Sequence, residues 1–401
     1  MTQMTLGAVA PFLEARHRAA AAEAATFANR ELAGLPPPAD DAAARVRARD
    51  LVARLGSSGL GRYAVAAAWG GALPEVDLRC CCLVREALAA ASPLADAVFG
   101  VQCLGAMPLH LAGTDEQRRR WLPGAAAGEV MAAFAMTEPD AGSDVGSITT
   151  RATRDGDRYL LDGRKAFISN AGIADLYVVF ASTRPAAGRD GLSCFLVRAD
   201  AAGLAFERPQ VLSEPHPLGE ISFRSCPVAA ADRVGEEGEG FRIGMQTLDR
   251  LRPTVAAAAC GMAARALEEA LAHARRRRQF GRPLAKFQLV QEKLARMATE
   301  LAAARLLTYG AAWEADQRGG GGTLSAAMAK AFATEAAQRI VDDAVQILGG
   351  RGVLAESPVD RLYRSVRALR IYEGTTEIQQ LVIARELLRE EPTAAAEPRR
   401  T

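Results

Sequence analysis

The feature that most constrains the fold is a double change of periodicity along the chain. From about Leu6 to Ala126, apolar residues recur three and four positions apart, as in "DAAARVRARDLVARL" and "DLRCCCLVREALAAA", which predicts helices. From Met131 to about Arg233, short runs of β-branched and aromatic residues are separated by turn sequences such as "DGD", "NAG" and "AGRDG". After "VGEEGEGF" the helical period returns in three long segments and in the closing "TEIQQLVIARELL".

These changes predict an α+β chain of three parts. We expect an N-terminal helical domain at residues 1–130, a small antiparallel β-domain at 131–238 and a C-terminal four-helix bundle at 239–390, followed by a disordered tail at 391–401. The length of 401 residues agrees, because it exceeds what one ordinary hydrophobic core supports. The glycine run at 319–322 is predicted to be a flexible loop between two bundle helices.

Composition and charge exclude several classes of protein. A hydrophobic fraction of 49% with 24% charged residues is typical of globular chains, and a net charge of +2 gives no reason to expect a nucleic-acid partner. No basic stretch leads into an apolar core at the N-terminus, and charges interrupt the apolar runs, so we expect neither a secretory signal nor a membrane span. Scattered histidines predict no metal site. An odd number of cysteines without a C-x-x-C pair predicts reduced thiols in a cytoplasmic protein.

The segment "IYEGTTEIQQLVIARELL" (371–388) carries an acid in an unusual place. Thr376 and Gln379 have the spacing of a capping box, and apolar residues then recur at helical spacing, so a helix start explains most of the segment. Glu373 lies ahead of this cap, between an aromatic residue and Gly374, and capping does not require it. It is therefore a candidate for acid–base chemistry.

Four further segments each allow a structural and a functional interpretation. "AFAMTEPDAGSDVGS" (133–147) is either a turn or a loop whose N–H groups and hydroxyls approach a ligand. "KAFISN" (165–170) is either ordinary strand packing or a ring and a hydroxyl on one strand face beside a flat ligand. "ARRRRQFGRPLAKFQ" (274–288) is either a solvated basic helix end or a phosphate clamp beside an aromatic ring. "QILGGRG" (346–352) is either a glycine C-cap or a nucleotide-binding turn.

Together these segments resemble the acyl-CoA dehydrogenase family of flavoproteins. "MTEPDAGSD", "RRQFGRPLAKFQ", "QILGGRG" and "IYEGTTEIQ" match the family's motifs in order and approximate spacing, and the resemblance extends from about residue 40 to 390. It implies that an α-helical domain, a β-domain and a C-terminal four-helix bundle enclose FAD, in a homotetramer. It also implies an acyl-CoA thioester as substrate and an electron-transfer flavoprotein as acceptor.

The resemblance assigns three groups of residues to the cofactor. The group expected along the flavin ring, its other side and its edge is Phe134, Met136, Thr137, Gly142, Ser143, Phe167 and Ser169. The group expected to reach the FAD of a neighbouring subunit is Arg277, Gln279, Phe280, Gln288, Gln346, Ile347, Leu348, Gly349 and Gly350. The group expected to bind the same subunit's FAD, with the first and last near its pyrophosphate, is Thr375, Thr376 and Glu377.

Glu373 occupies the position of the family's catalytic base. In that role it would remove the proton α to the thioester carbonyl while the β-hydrogen leaves as hydride to flavin N5, giving the trans-2-enoyl thioester. Burial must raise the pKa of this base, because a free carboxylate is too weak to remove so weakly acidic a proton. Substrate contacts are expected from Ser143, Asp249, Arg252 and Gly374. Some relatives carry the base on the first bundle helix, but this chain has Leu251 there, which cannot accept a proton.

The resemblance leaves the substrate open. Alternatives are the same chemistry on an acyl-carrier-protein thioester in a biosynthetic pathway, an O₂-using flavin oxidase or monooxygenase, and a non-catalytic acyl-CoA-binding scaffold, which the retained Glu373 disfavours. Residues 211–228, where relatives commonly carry a G-x-R-x-S-like turn, are either a reshaped surface loop or an altered entrance for the acyl group or its carrier. The pocket floor is expected around Asp96, Phe99 and Gly100, either closed by the phenylalanine or deepened by the glycine. Asp96 is expected on a solvated helix face, and the alternative is that it suits a polar or branched acyl group.

Overall fold

The N-terminal part of the chain is helical, as its periodicity predicts. The computed structural model describes residues 7–318 and 322–389, so the predicted tail at 391–401 and most of the predicted glycine loop lie outside the described residues. The helices of this part are α1 (Ala15–Phe27), α2 (Asp41–Ser57), α3 (Leu78–Ala91), α4 (Pro93–Ala112) and α5 (Asp115–Ala127).

Short polar side chains start these helices. Asp40 accepts a hydrogen bond from the Ala43 N–H at 2.8 Å ahead of α2. Thr114 and Gln117 form a capping box ahead of α5, with distances of 3.2 and 3.0 Å from backbone nitrogen to side-chain oxygen. Each bond satisfies an N–H that has no partner within its helix, which explains why the boundaries follow the sequence signals.

Helix α4 is the core helix of this part. It is long and apolar enough to cross a membrane by length and composition, but 78% of its most apolar stretch is buried inside the protein. It packs against α3 and against the sheet that follows. Such burial is typical of a helix at the centre of a folded domain.

The middle part of the chain is a sheet. Its strands are β1 (Ala132–Ala135), β2 (Arg151–Asp155), β3 (Arg158–Ser169), β4 (Leu176–Ser182), β5 (Leu192–Arg198), β6 (Leu204–Pro209), β7 (Leu218–Ala229) and β8 (Arg233–Val234). Their spatial order is β6-β7-β3-β2-β4-β5-β8, with β1 beside β4. Most neighbours are antiparallel, but β1 runs parallel to β4, so the sheet is mixed. The long connection from β1 through β2 and β3 makes this parallel pairing possible.

The C-terminal part contains the four predicted helices and one more. Its helices are α6 (Gly240–Arg276), α7 (Gln288–Arg318), α8 (Thr323–Leu348), α9 (Pro358–Leu369) and α10 (Thr376–Leu387). The prediction missed α9, although its signals are present. Pro358 occupies the first helical turn, and Val359, Leu362, Val366 and Leu369 form its buried face.

Helix α6 joins the first and last parts of the chain. Its residues 255–263 are all buried, and it packs against α3 and α8. A Cβ on Gly261 would lie 2.2 Å from the backbone oxygen of Glu86 in α3, so only glycine permits this approach. The buried Glu86 carboxylate in turn accepts hydrogen bonds from Arg305 (2.8 Å) and Tyr309 (2.7 Å) of α7. These contacts bring together the helices that enclose the site.

Candidate active site

A cavity of about 840 Å³ lies where the three parts of the chain meet. Its wall includes parts of α3, α4, α6 and α9, the segment after β1, the end of β3 and residues 212–216. The predicted residues that line it are Phe134, Met136, Thr137, Gly142, Ser143, Phe167, Ser169, Arg252, Glu373, Gly374 and Thr375. The fold therefore brings together most of the residues that were predicted to contact the flavin ring or the substrate, although they are far apart in sequence.

The other predicted site residues lie outside this cavity. They are Asp249, Arg277, Gln279, Phe280, Gln288, Gln346, Ile347, Leu348, Gly349, Gly350, Thr376 and Glu377. Asp249 forms an ion pair with Arg252 and accepts a hydrogen bond from Thr323. Phe280 is 92% exposed. Residues that reach a neighbouring subunit's cofactor must face outward, so this position agrees with the assignment of Phe280, which stays a prediction.

Glu373 lies in a strained turn that several side chains hold. Its φ of +54° is unusual for a residue with a side chain, and such strain costs about 1–3 kcal/mol. Arg252 Nε donates to the Glu373 carbonyl at 3.3 Å, and Lys330 Nζ donates to the Gly374 carbonyl at 2.6 Å. Gln379 Nε2 donates to both carbonyls, at 3.3 and 3.1 Å. Gly374 has φ +94°, and a Cβ there would lie 2.3 Å from Gln379 Nε2, so the turn requires glycine.

The Glu373 carboxyl has the properties of a base. Burial raises its pKa, while the charges of Arg85, Lys330 and Arg252 oppose this effect. Its Oε2 is buried and has no hydrogen-bond partner among the described residues. A carboxylate deprived of water and of donors holds a proton more tightly, as proton removal from carbon requires. Leu251, at the alternative base position, is 1% exposed and belongs to the core.

The helix start after this turn differs from the prediction. Thr375 is the N-cap of α10, and its Oγ1 accepts a hydrogen bond from the Ile378 N–H at 3.3 Å. The Thr376 hydroxyl donates to Glu335 at 2.7 Å, and the Gln379 amide is used by the preceding turn. The predicted capping box between Thr376 and Gln379 is therefore wrong. Thr375 and Thr376 both fit the sequence pattern of an N-cap. Glu335, which is distant in sequence, binds the Thr376 hydroxyl, and Thr375 is the cap.

The end of β3 turns an aromatic ring onto the cavity. The register between β3 and β7 shifts between Lys165 and Ile168, and Phe167 within this bulge has φ +56°. The Phe167 N–H donates to the Gln210 side chain at 2.6 Å, and its ring is 57% exposed. Ser169 lines the same wall. The bulge thus presents a ring and a hydroxyl to the cavity, as a flat ligand requires.

Family models match nearly the whole chain. The N-terminal domain of acyl-CoA dehydrogenases matches residues 14–129, the middle domain matches 133–226 and the C-terminal domain matches 238–388. The chain belongs to the acyl-CoA dehydrogenase family. The predicted family and fold class are both confirmed.

Similar proteins and solved structures support the assignment to the acyl-CoA dehydrogenase family. The chain is 41% identical to a 3-(aryl)acrylate reductase of Clostridium sporogenes over 344 residues, 85% of this chain and 90% of the relative. It is 40% identical to an acyl-CoA dehydrogenase of Bacillus subtilis over 342 residues, 84% of this chain and 89% of the relative. The butyryl-CoA dehydrogenase structure from Megasphaera elsdenii has a TM-score of 0.89 and 34% identity, covering 94% of this chain and 99% of that one. The structure of the prolyl acyl carrier protein oxidase AnaB has a TM-score of 0.87 and 31% identity, covering 94% and 100%.

FAD is the cofactor of this family, and the cavity fits it. Phe134 and Phe167 contribute aromatic rings to the wall, and Thr137 and Ser143 contribute hydroxyls. A Cβ on Gly142 would find its nearest neighbour 4.0 Å away, so the missing side chain leaves backbone open to a ligand rather than to another protein segment. The individual contacts of these residues with FAD stay predictions.

His216 gives the unusual 211–228 segment a place in the cavity wall. Its Nε2 is hydrogen-bonded to the Ser169 hydroxyl at 2.9 Å, and its Nδ1 is buried without a partner among the described residues. Burial lowers the pKa of His216 to about 4, with Asp41 opposing and Arg45 adding to the effect. The segment is therefore more than a surface loop, because a neutral imidazole from it contacts a predicted flavin-side residue.

Replacing His216 by glutamine is expected to make the stability of the protein less sensitive to acid. The folded-state pKa of about 4 lies below the ordinary 6.5, so the unfolded chain binds the proton first as the pH falls. Stability is then lost between about pH 6.5 and pH 4, by about 3 kcal/mol in all. Urea denaturation at pH 7 and pH 4.5 measures the difference. His110, whose pKa burial also lowers to about 4, provides a matched variant, His110→Gln. An unchanged pH dependence in both variants would contradict the assignment.

The cavity wall holds a charged pair of Asp96 with Arg85, which the sequence analysis did not identify, so the expectation that Asp96 lies on a solvated helix face is wrong. Arg85 Nε and Nη2 donate to the Asp96 carboxylate at 2.7 and 3.0 Å, and both side chains are almost fully buried. Gly100 lines the cavity, whereas Phe99 is 1% exposed and lies outside it. The available signal was the composition of "CCCLVREALAAA". Apolar residues occupy most positions of this helix, which favours burial of Arg85, and a buried arginine requires a partner.

A second polar cluster lies away from the cavity. His17, Asp77 and Cys80 place potential metal-ligating atoms within 4.8 Å of one another. His17 Nε2 contacts Asp77 at 3.0 Å, and its Nδ1 accepts a hydrogen bond from the Glu14 N–H at 2.8 Å. Asp77 also caps α3 by accepting from the Cys80 N–H at 3.0 Å. The fold uses both imidazole nitrogens and the carboxylate, so the cluster is a structural one.

Proposed function

We propose that the protein oxidises an acyl-CoA thioester to its trans-2-enoyl form, with Glu373 as the base that removes the α-proton. The observation that carries this proposal is the Glu373 carboxyl, which has a raised pKa and an unpartnered Oε2 and lies on a cavity shared with Phe167 and Ser169. FAD, when bound, accepts the hydride that leaves the β-carbon. Substrate contacts in this proposal come from Ser143, Gly374 and the Asp249–Arg252 pair.

The turn around Glu373 supports this role. Arg252, Lys330 and Gln379 donate hydrogen bonds to the two backbone carbonyls of the turn, which fixes the backbone. The carboxyl itself remains available to the cavity. A base held in one place relative to the substrate gains from proximity, since no orientation has to be found during the reaction. Burial keeps water away from the carboxyl, which makes it a stronger base and prevents water from competing for the proton.

Anaerobic mixing of the FAD-loaded protein with acyl-CoA thioesters tests the proposal. A dehydrogenase is expected to bleach the oxidised flavin band near ~450 nm and to release the 2-enoyl thioester, because the flavin takes up two electrons per substrate. Chain lengths and branched or cyclic acyl groups are compared in one series. If no CoA thioester bleaches the flavin or forms an enoyl product, the proposed activity is wrong.

A thioester of an acyl-carrier protein is the second candidate substrate. Two observations favour it: the likeness to the prolyl acyl carrier protein oxidase AnaB, and the entry of residues 212–216 into the cavity wall. Carrier-protein thioesters that bleach the flavin while CoA thioesters do not would establish this version. Consumption of O₂ by the reduced protein at a rate matching turnover would indicate an oxidase.

We also propose a cytoplasmic homotetramer that passes electrons to an electron-transfer flavoprotein. All seven cysteines are free and buried, which agrees with a reducing compartment. Phe280, Leu289 and Leu381 are 92, 80 and 67% exposed, and apolar side chains left in the open on a bundle are typical of subunit interfaces. Sedimentation velocity of the FAD-loaded protein distinguishes a tetramer from smaller species.

A further inference from the structure

A buried ion pair, Arg85 with Asp96, forms part of the cavity wall where α3 and α4 line it. Arg85 donates to Asp96 through Nε and Nη2 at 2.7 and 3.0 Å, and through Nη1 to the Thr254 hydroxyl at 3.0 Å. A Cβ on Gly100 would lie 2.8 Å from Arg85 Cζ. The missing side chain of Gly100 therefore makes room for the guanidinium group and not for a longer acyl chain.

This wall keeps hydrogen-bonding capacity for a ligand. A guanidinium group has five N–H donors, and the bonds to Asp96 and Thr254 use three of them. Each carboxylate oxygen of Asp96 accepts more than the one bond that it receives from Arg85. Tyr372 lines the same cavity, and its hydroxyl interacts with Arg85, so it takes part in the same polar group and keeps one further hydrogen-bonding position for a ligand. We call Arg85, Asp96 and Tyr372 the polar floor.

The charges around the polar floor restrict what it can accept. Arg85 and Asp96 neutralise each other, so neither offers an unpaired charge to a substrate. A carboxylate on the acyl group would meet Asp96 and Glu373, and an ammonium group would meet Arg85, all of which line the cavity. A plain methyl end would leave the unused donors and acceptors without partners and without water, which is costly. An uncharged group that both donates and accepts is the best match.

We propose that the polar floor selects acyl groups whose far end carries an uncharged hydrogen-bonding group, such as a hydroxyl, an amide or a ring N–H. The inference rests on the proposed function, because it names the substrate class for the same cavity. It concerns recognition of the acyl group alone, so it holds whether the carrier is CoA or a protein.

A series of matched thioesters tests the selection in the FAD-loaded protein. Pentanoyl, 4-hydroxybutanoyl, 4-aminobutanoyl and glutaryl groups differ only in a terminal methyl, hydroxyl, ammonium or carboxylate, and a second series is one methylene longer. Each is supplied as the CoA and as the pantetheine thioester. The hydroxyl member is expected to exceed the methyl member at least about tenfold in kcat/KM for flavin reduction, and the two charged members are expected to be poorest. Calorimetric binding of the corresponding 2-enoyl thioesters should show the same order.

The double variant Arg85→Met/Asp96→Leu provides the matched change. It removes both charges at similar volume and leaves no buried charge alone, so it is expected to fold and to retain FAD. Within this variant the hydroxyl-to-methyl ratio should fall below one, and a ratio is insensitive to any general effect on Glu373. Arg265→Met alters another arginine of the cavity wall, one paired with Glu269, and should leave the ratio unchanged.

The outcomes separate the two proposals. If alkyl thioesters reduce the flavin fastest and bind best in the unaltered protein, the inference about the polar floor is wrong and the dehydrogenase assignment stands. If no thioester reduces the flavin but the enoyl series binds in the expected order, the proposed activity is wrong and the polar floor stands. If the ratio is the same in the double variant, the polar floor does not select the substrate.

Discussion

Replacing Glu373 by glutamine is expected to slow flavin reduction by the acyl thioester by about 10³-fold, while FAD stays bound. Glutamine has nearly the same shape, and the turn is held through the carbonyls of Glu373 and Gly374, so the fold of the turn should survive. The variant replaces the carboxylate by an amide, which is far too weak a base to accept the α-proton. No other carboxylate can replace it at Leu251, the alternative position.

Stopped-flow absorbance under anaerobic conditions measures this change. Glu356→Gln, an exposed position in the turn before α9, is the matched control and should reduce at the normal rate. In the unaltered protein the rate should rise with pH through an ionisation above the ordinary glutamate value of 4.5, because burial raises the pKa of Glu373. If the flavin of the Glu373→Gln protein is reduced by the thioester at a rate within about twofold of normal, another group is the base.

The fold was predictable because its information is local. Helical and strand periods change twice along the chain, and each change marks a boundary between structurally different parts. The short helix α9 was missed because it follows the glycine-rich turn at 349–352 and has only 12 residues, against 26 in α8. The direction of β1 was missed for another reason. A strand's period is the same in parallel and antiparallel pairs, so only the connection decides.

The site was predictable only where motifs carry it. The residues around Glu373 and Phe167 were identified from segments, but their left-handed backbone was not, because residue type does not encode a positive φ outside glycine. The pairing of Arg85 with Asp96 depends on how α3 packs beside α4, and that of Ser169 with His216 on where the segment after β6 lies. Contacts between segments distant in sequence or on different helices cannot be read from a single chain.

Lys165 and Glu138 form a buried ion pair that joins the segment after β1 to strand β3. Lys165 donates to Glu138 and to the Met136 carbonyl, both at 2.9 Å, and Glu138 also accepts bonds from Thr149 and Thr150. These backbone and charged donors hold the pKa of Glu138 down to about 2, whereas burial lowers the pKa of Lys165 to about 8. The lowered pKa of Glu138 stabilises the folded protein, and the lowered pKa of Lys165, a shift of similar size, destabilises it. The pair therefore contributes more to the positioning of the segment after β1 than to the net stability of the protein.

Replacing Lys165 by methionine is expected to destabilise the protein by about 3–5 kcal/mol and to weaken FAD retention. The change leaves the Glu138 carboxylate buried without its cation and frees the Met136 carbonyl, in the segment that carries predicted flavin contacts. The loss should be greatest at neutral pH. It should shrink as the pH falls from about 4.5 toward 2, because Glu138 then takes up a proton and needs no cation.

Urea denaturation at fixed protein and FAD concentrations measures the loss, since cofactor and subunit binding both shift apparent stability. Lys286→Met, at an exposed position, is the matched control and should change the free energy of unfolding by less than about 0.5 kcal/mol. The double variant Lys165→Met/Glu138→Gln removes the unpaired charge and keeps an acceptor for one of the two donors Thr149 and Thr150, which bond to different oxygens of Glu138. It should therefore be more stable than Lys165→Met alone. If the double variant is the less stable of the two, the cost arises from lost hydrogen bonds and not from an uncompensated buried charge.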